Sequence, residues 1–445
     1  SVTGVQTCAL PICHMTWLKF NALVVVGLLL AMVLATSKVE VGKRTLVMLD
    51  DFSSKYSHSM FFGQLEKAGY ELSYVIAGEE NFLIESYGSW LYDHIIVFVV
   101  TTEQFNQFVD AETLVRFVDN GGNILIATSE GAAEGVLELA SELGSEIDVT
   151  GTAVIDHFHF NAATDDGHHS HVVIPASSVS KDASFAVGQL SGPVLFRGVA
   201  QQIEKTPFVF PLLSASKTAY SAVPGERLED NNVLIGQDIV LVTGIQGRNN
   251  ARCVISGSLD LFSDAFFTAQ VVDGSAASAP SANVEFAANL WSWVTKHRGN
   301  IRLVDFHQHG SDSLPAHTYV VKENISVSFG LEVLSENGEW VPFSTSEAIV
   351  EFTMLYPFYR IPVKEVAAGK YAVTFVAPDA HGTYSLIVEY VHDGHTFVRS
   401  LETINIRPYR HTEFERFIPM AMPYYASILS VTAALCLFSI IFLLG

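Results

Sequence analysis

The sequence predicts an open, mostly parallel α/β sheet domain, then a β-sandwich domain, and finally one C-terminal transmembrane helix. Three observations predict it. Over residues 44–300, short continuous apolar runs alternate with segments of helical period. After residue 300 the helical segments give way to about seven short strand-like segments in ~105 residues, separated by Gly, Pro, Asn and Asp turns. Residues 424–444 carry no charge and are long enough to cross hydrocarbon as a helix.

Taken in order, residues 1–14 read as translated vector or adapter sequence and stand outside the fold. Met15 opens a short stretch with Lys19, the apolar run 22–35 follows, and the chain turns polar at Thr36-Ser37-Lys38. Val33 and Ala35 occupy the small-residue positions that signal peptidase prefers. The run falls short of the ~20 residues that a spanning helix needs, so residues 15–35 read as a cleaved signal peptide.

Residues 45–49 (TLVML) are continuously apolar and end at Asp50-Asp51. Continuous rather than alternating hydrophobicity means burial on both faces, as in a central parallel strand. Residues 57–68 place Met60, Phe61, Leu65 and Ala68 on a helical period, closed by Gly69. Strands follow at 72–76 and 94–100, the latter ending at Thr101-Thr102. A helix at 111–118 stops at Asn120-Gly121-Gly122, a strand covers 123–127, and a helix covers 132–143. This alternation argues for a doubly wound sheet with right-handed crossovers. Further strands are expected at 239–243 and 252–256 and a helix at 283–296. Residues 150–235 are less regular and are expected to add antiparallel strands and loops.

In the second domain (301–408) strands are expected at 319–321, 325–331, 349–355, 371–375, 384–390, 397–401 and 403–406. A linker, 409–423, leads to the span 424–444, with Tyr424 and Tyr425 at its edge, where amphipathic rings favour the headgroup region. A leading signal peptide and a C-terminal span place the bulk in the secretory lumen and the C-terminus in the cytosol.

A net charge of −22 argues against nucleic acid, whose phosphates need a concentrated basic surface. Of four cysteines, Cys8 and Cys13 precede Met15 and Cys436 lies in the span. Cys253 alone remains in the lumenal part, so no intrachain disulfide is available there. It falls in an apolar strand, where burial keeps a thiol protonated and inert.

Open α/β sheets bind ligands at the carboxyl ends of their strands. Asp50-Asp51, Thr101-Thr102 and Ser129-Glu130 stand there and could form a polar pocket for a sugar or phosphate. The same residue types cap helices and hold turns by accepting backbone hydrogen bonds, and that reading is preferred. No G-x-S-x-G, G-x-x-x-x-G-K-[ST] or H-E-x-x-H pattern occurs, and no G-x-G-x-x-G follows the first strand. No catalytic, cofactor or metal residue is therefore expected. Asp156, His157 and His159, with Asp165, Asp166, His168, His169 and His171, are residue types that can ligate zinc. The polar, Gly-containing stretch 161–170 reads instead as an exposed loop. Asn324-Ile325-Ser326 is the single glycosylation sequon.

Several segments carry a resemblance. They are His411-Thr412-Glu413-Phe414-Glu415-Arg416-Phe417-Ile418-Pro419 with Pro423-Tyr424-Tyr425-Ala426-Ser427, Ser256-Gly257-Ser258-Leu259-Asp260 with Phe262-Ser263-Asp264, Leu49-Asp50-Asp51, Val154-Ile155-Asp156-His157 and Trp340-Val341-Pro342-Phe343. On these the chain resembles the family of 48 kDa subunits of the eukaryotic oligosaccharyltransferase complex, from about residue 44 through the span. The resemblance implies a single-pass endoplasmic reticulum protein and a non-catalytic, structural or ligand-positioning subunit. Its partners are then other membrane subunits, among them a multi-spanning catalytic one that holds the divalent metal, together with a glycan donor or acceptor. The family usually carries a lysine-containing cytosolic tail, which does not follow residue 444 here. The competing expectation is a stand-alone lumenal sugar-binding protein or hydrolase with a pocket near Asp50, Thr101 and His157.

Overall fold

A computed structural model describes residues 42–78, 82–165, 167–176, 184–204, 206–226, 233–272, 279–310, 317–335, 338–414 and 416–444. The expected leader, signal peptide and Asp166 lie outside these residues. The chain divides into two compact units, the first ending at Arg298 and the second beginning at Gly299, with 334–340 grouped with the first.

The first unit is built on a nine-stranded sheet. Its strands are β1 (Arg44–Leu49), β2 (Glu71–Ile76), β3 (His94–Phe98), β4 (Asn123–Ala127), β5 (Ser145–Ile147), β6 (Gln201–Ile203), β7 (Val209–Ser214), β8 (Val240–Gln246) and β9 (Arg252–Ser256). The order is β2-β1-β3-β4-β9-β8-β6-β5, with β7 also paired to β8. The pairs among β2, β1, β3, β4 and β9 are parallel. Those beyond β9 are antiparallel, so the sheet is mixed rather than mostly parallel. The cause is local. Only Gly247 to Ala251 separate β8 from β9, where a parallel return needs a crossover of a dozen or more residues.

Helices α1 (Ser53–Ser57), α2 (Ser59–Lys67), α3 (Ala111–Asp119), α4 (Glu134–Glu142), α5 (Asp264–Thr268) and α6 (Asn283–Val294) accompany the sheet. The helix expected at 57–68 is broken at His58. Because strand side chains alternate, the sheet feeds two cores. Val47, Leu49, Ile96, Phe98 and Leu125 pack with Phe61 and Leu65 of α2 and Phe286 and Leu290 of α6. Leu46, Met48, Ile95, Val97 and Ile124 pack with Leu114 and Phe117 of α3 and Val136 and Leu139 of α4.

Buried polar groups fix the sheet's details. Gln201 accepts from Ser145 Oγ (2.9 Å) and Thr243 Oγ1 (2.7 Å), and donates to the Leu241 (3.3 Å) and Ile255 (3.2 Å) carbonyls. Four strands are thereby tied to one side chain. At the far end of β9, Arg252 stacks over Trp293, 5.1 Å away, and donates to the Trp293 carbonyl (2.8 Å) in the last turn of α6 and to the Arg298 carbonyl (2.6 Å) just past its end. Burial pushes its guanidinium down to about 9. A cation is favoured at that end by the helix dipole.

The second unit contains β10 (Ile301–His309), β11 (Thr318–Val320), β12 (Asn324–Leu334), β13 (Trp340–Pro342), β14 (Ile349–Thr353), β15 (Pro357–Pro362), β16 (Lys364–Ala367), β17 (Lys370–Val376), β18 (Gly382–Tyr390) and β19 (Val398–Arg407). One five-stranded sheet runs β10-β12-β17-β16, with β13 beside β12; the other runs β11-β19-β18-β14-β15. A single core draws on both, with Ile325, Val327 and Phe329 from the first and Val350, Phe352, Tyr384 and Leu386 from the second. Strands expected at 397–401 and 403–406 are one continuous β19. After Arg407 the chain folds back, because Arg407 grips the Glu413 carboxylate through both of its outer nitrogens (2.6 and 2.8 Å). That pair, with the Arg410 N–H, pulls the Glu413 carboxyl down to about 2. The last helix, α7 (Met422–Leu444), has 23 residues; an 18-residue stretch of it has a mean hydropathy of 2.5, and none of that stretch is buried. At 1.5 Å per residue it is ~34 Å long, enough for a hydrocarbon core of ~30 Å.

Candidate functional site

The strand order reverses direction around β1: the chain passes from β1 outward to β2, then back across to β3. The carboxyl ends of β1 and β3 therefore flank the crevice in which such sheets hold ligands. Asp50 leaves β1 at this point. Its Oδ2 accepts the N–H groups of Val100 (2.6 Å) and Thr101 (3.0 Å). Its Oδ1 accepts the Thr102 N–H (3.2 Å) and hydroxyl (2.7 Å). The carboxylate thus bridges the two strand ends with four bonds from the loop after β3.

Neighbouring groups are engaged in the same way. Asp51 accepts from Ser53 Oγ at 2.8 Å, at the entry to α1. Asp264 covers the N-terminus of α2, accepting from Ser59 N–H (3.1 Å), Ser59 Oγ (2.6 Å) and Met60 N–H (2.8 Å). His58 packs its ring 5.4 Å from that of Phe98 and lies 2.8 Å from the Ser54 carbonyl. Ser129 is half-buried, and its carbonyl accepts from Ala132 N–H at 3.1 Å. Beside it lies an arginine that the sequence reading missed: Arg197 stands 3.9 Å from Glu130 and 3.7 Å from Asp260. A lone arginine directly after the apolar triplet Val194–Phe196 is the signal that could have found it.

His157 belongs to a different cluster. It follows a short strand, Ala153–Ile155, paired with Tyr220–Ala222, and its Nε2 lies 2.9 Å from Tyr220 Oη. Its ring meets that of His169 edge-on at 4.9 Å, and His169 pairs with Asp165 at 3.0 Å. Asp156 is fully buried. It accepts from the Ser216 hydroxyl, from Thr218 Oγ1 (2.9 Å), and from the Phe158 (2.9 Å) and His159 (3.2 Å) N–H groups. Burial pushes this carboxyl up, but those hydrogen bonds outweigh it and hold it below the usual carboxylate range. With its oxygens so occupied, Asp156 is a loop clamp. Among the described residues no group of three or more His, Cys, Asp or Glu side chains is arranged to hold a metal ion.

The expectation that 161–170 is an exposed loop needs correction at its ends. Asn161 and Ser170 are buried. Asn161 donates to Thr164 Oγ1 (3.0 Å) and the Gln270 carbonyl (3.2 Å) and accepts from Val272 N–H (3.0 Å). The structure therefore brings Asp50, Thr101 and Thr102 together and gives His157 separate partners. Cys253 is buried within β9, and burial pushes its thiol up to about 12. Asn324 is exposed at the start of β12, with Ser326 Oγ 2.9 Å from Thr374 Oγ1.

Chemically, Asp50 is saturated by backbone and hydroxyl donors, and Asp51 and Asp264 accept from the same kinds of group, an arrangement suited to fixing loops. Comparison with known proteins agrees with the resemblance noted from sequence. The model of the OST48 N-terminal domain matches residues 36–297, and that of the OST48 middle domain matches 307–445. The chain is 37% identical to a zebrafish (Danio rerio) protein named dolichyl-diphosphooligosaccharide–protein glycosyltransferase 48 kDa subunit, over 90% of this chain and 91% of that one. Identity to the proteins of the same name is 36% for Drosophila melanogaster, over 91% and 92% of the two chains, and 35% for Arabidopsis thaliana, over 90% and 92%. Matched along both units and the apolar helix, the chain belongs to the OST48 family of oligosaccharyltransferase 48 kDa subunits.

Proposed function

We propose that the chain is a non-catalytic, structural subunit of oligosaccharyltransferase, the complex that transfers oligosaccharide from dolichyl diphosphate to Asn of N-x-[ST] in nascent proteins. The observation that carries this reading is the family match across both units. The saturated state of Asp50 supports it, since a carboxylate with four donors already in place is a poor general base. In this reading Asp50, Asp51, Thr101, Thr102 and Ser129 shape the carboxyl ends of the strands, and His157 a separate loop cluster, beside which glycan donor or acceptor is positioned, without reacting. The divalent metal belongs to a separate multi-spanning subunit.

The domain plan accompanies that role. Residues 15–35 are the signal peptide, 44–300 a lumenal α/β domain, 301–408 a lumenal β-sandwich, 409–423 a linker and 424–444 the span in the endoplasmic reticulum membrane, with its C-terminal end cytosolic. Asn324 is a glycan acceptor. Helix α7 docks among the helices of the partner subunits. The test is a gentle-detergent pull-down of the full chain beside a variant lacking residues 417–445. The full chain is expected to bring down the other membrane subunits and the truncated chain to lose them; equal recovery by the two would overturn the reading.

A further inference from the structure

The loop joining β14 to β15 is unusual for a hairpin tip. It reads Met354-Leu355-Tyr356, with Phe358 just beyond, where tips are normally Gly, Asn or Asp. Leu355 and Tyr356 are 87% and 81% exposed, and Met354 and Phe358 are about half so. From Thr353 to Val363 the only charged residue is Arg360, which is paired with Glu351. The tip stands on a rigid base: Phe352 stacks on Tyr384 at 4.7 Å, and Phe358 meets the same ring at 5.5 Å.

Register places this tip. Thr353 pairs with Ser385, and Gly382, three residues nearer that end of β18, pairs with Ile406. A Cβ on Gly382 would lie 3.1 Å from Met354 Sδ, so the tip reaches the level of Ile406. The chain leaves for α7 one residue later, at Arg407. The Arg407–Glu413 grip then shortens the tether, because residue 413 is held back against the strand end. Only Phe414 to Arg416 separate it from Phe417, a reach of at most ~14 Å. Phe417 and Ile418 are themselves exposed and apolar.

Resting on the reading of α7 as a membrane span, we infer that Met354, Leu355, Tyr356 and Phe358 form a second membrane contact, dipping into the headgroup–acyl boundary of the bilayer that α7 crosses. The chemistry matches that zone. Leucine and methionine enter the acyl boundary, while the tyrosine hydroxyl stays among headgroups. The occupant is lipid, and the contact would hold the second unit at a fixed tilt over the membrane.

The test uses the full chain, with Cys8, Cys13 and Cys436 replaced by serine, in phosphatidylcholine vesicles containing spin-labelled lipid. A fluorophore is attached through Leu355→Cys or, at the opposite end of the same sheet, through Asp393→Cys. A third sample keeps Cys436 as the labelled site inside α7. Quenching at 355 several-fold above that at 393, with Cys436 also quenched, is the expected result. Quenching at Cys436 with none at 355 overturns the hairpin contact and leaves the span intact. No quenching at Cys436 overturns both. Emission at 355 shifted to the blue without lipid quenching identifies a protein surface as the occupant and also overturns the proposal.

Discussion

The two units bury their strands differently. In the first, β3, β4 and β9 are buried at every position, because helices cover both faces of the sheet. In the second, β17 alternates between buried and outward residues and β16 is exposed throughout. A strand covered on both sides has nothing left to offer a partner except its ends, and in the first unit Asp50 ties the ends of β1 and β3 while Asp51 and Asp264 bind the starts of the helices beside them. A strand covered on one side keeps an outward face and exposed tips. The difference assigns self-closure to one unit and surface to the other.

The sharpest way to break that contrast is a matched pair of truncations. Phe98, fully buried against His58, Phe61, Phe62 and Phe262, loses roughly 3–5 kcal/mol of unfolding free energy on Phe98→Ala. Leu355→Ala in the second unit stays within about 0.5 kcal/mol. Denaturant unfolding of the detergent-solubilised chain measures both, and similar losses would erase the distinction.

The next effect is pH-dependent and belongs to the first unit. His94 is buried, with Nε2 2.8 Å from the Gly42 carbonyl and Nδ1 3.2 Å from Asn123 Nδ2. Burial pushes its ring down to about 4. The unfolded chain binds this proton near pH 6.5 and the folded chain resists it. The stabilisation is thus whole above 6.5 and is lost as pH falls toward 4, by about 3 kcal/mol. His94→Gln flattens the stability profile across that window; an unchanged slope would assign the titration to another group.

The smallest effect probes the strand ends. Asp50→Asn places an amide N–H against backbone donors and costs about 1–3 kcal/mol, felt mainly in the loop after β3. Limited proteolysis there should accelerate. Unaltered protection would mean that the Asp50 bonds do not hold the loop.

The same contrast governs what could be read from sequence. Asn123–Ala127 and Arg252–Ser256 were legible to the residue, since continuous apolar runs bounded by turn residues leave little choice. β15, bounded by Pro357 and Pro362, and β16, with no buried residue, gave no such pattern, as edge strands tolerate proline and charge. β10 was hidden by polar residues and by a register shift around Asp305, whose φ is 51°. Thr101 and Thr102 could be placed beside Asp50 because all three terminate neighbouring strands. Ser216 and Thr218 could not be placed beside Asp156 across sixty residues of irregular chain, because nothing local in the sequence encodes that meeting.

The Asp50 loop has one more consequence. Three amide hydrogens and a hydroxyl converge on its carboxylate from consecutive residues, the concave geometry by which backbone binds anions. The segment Val100-Thr101-Thr102 is therefore an anion receptor whose guest is covalently attached to the host. Removing the guest with Asp50→Gly leaves a vacancy shaped for formate or acetate, and such small acids should restore part of the lost order as carboxylates that the chain does not itself supply.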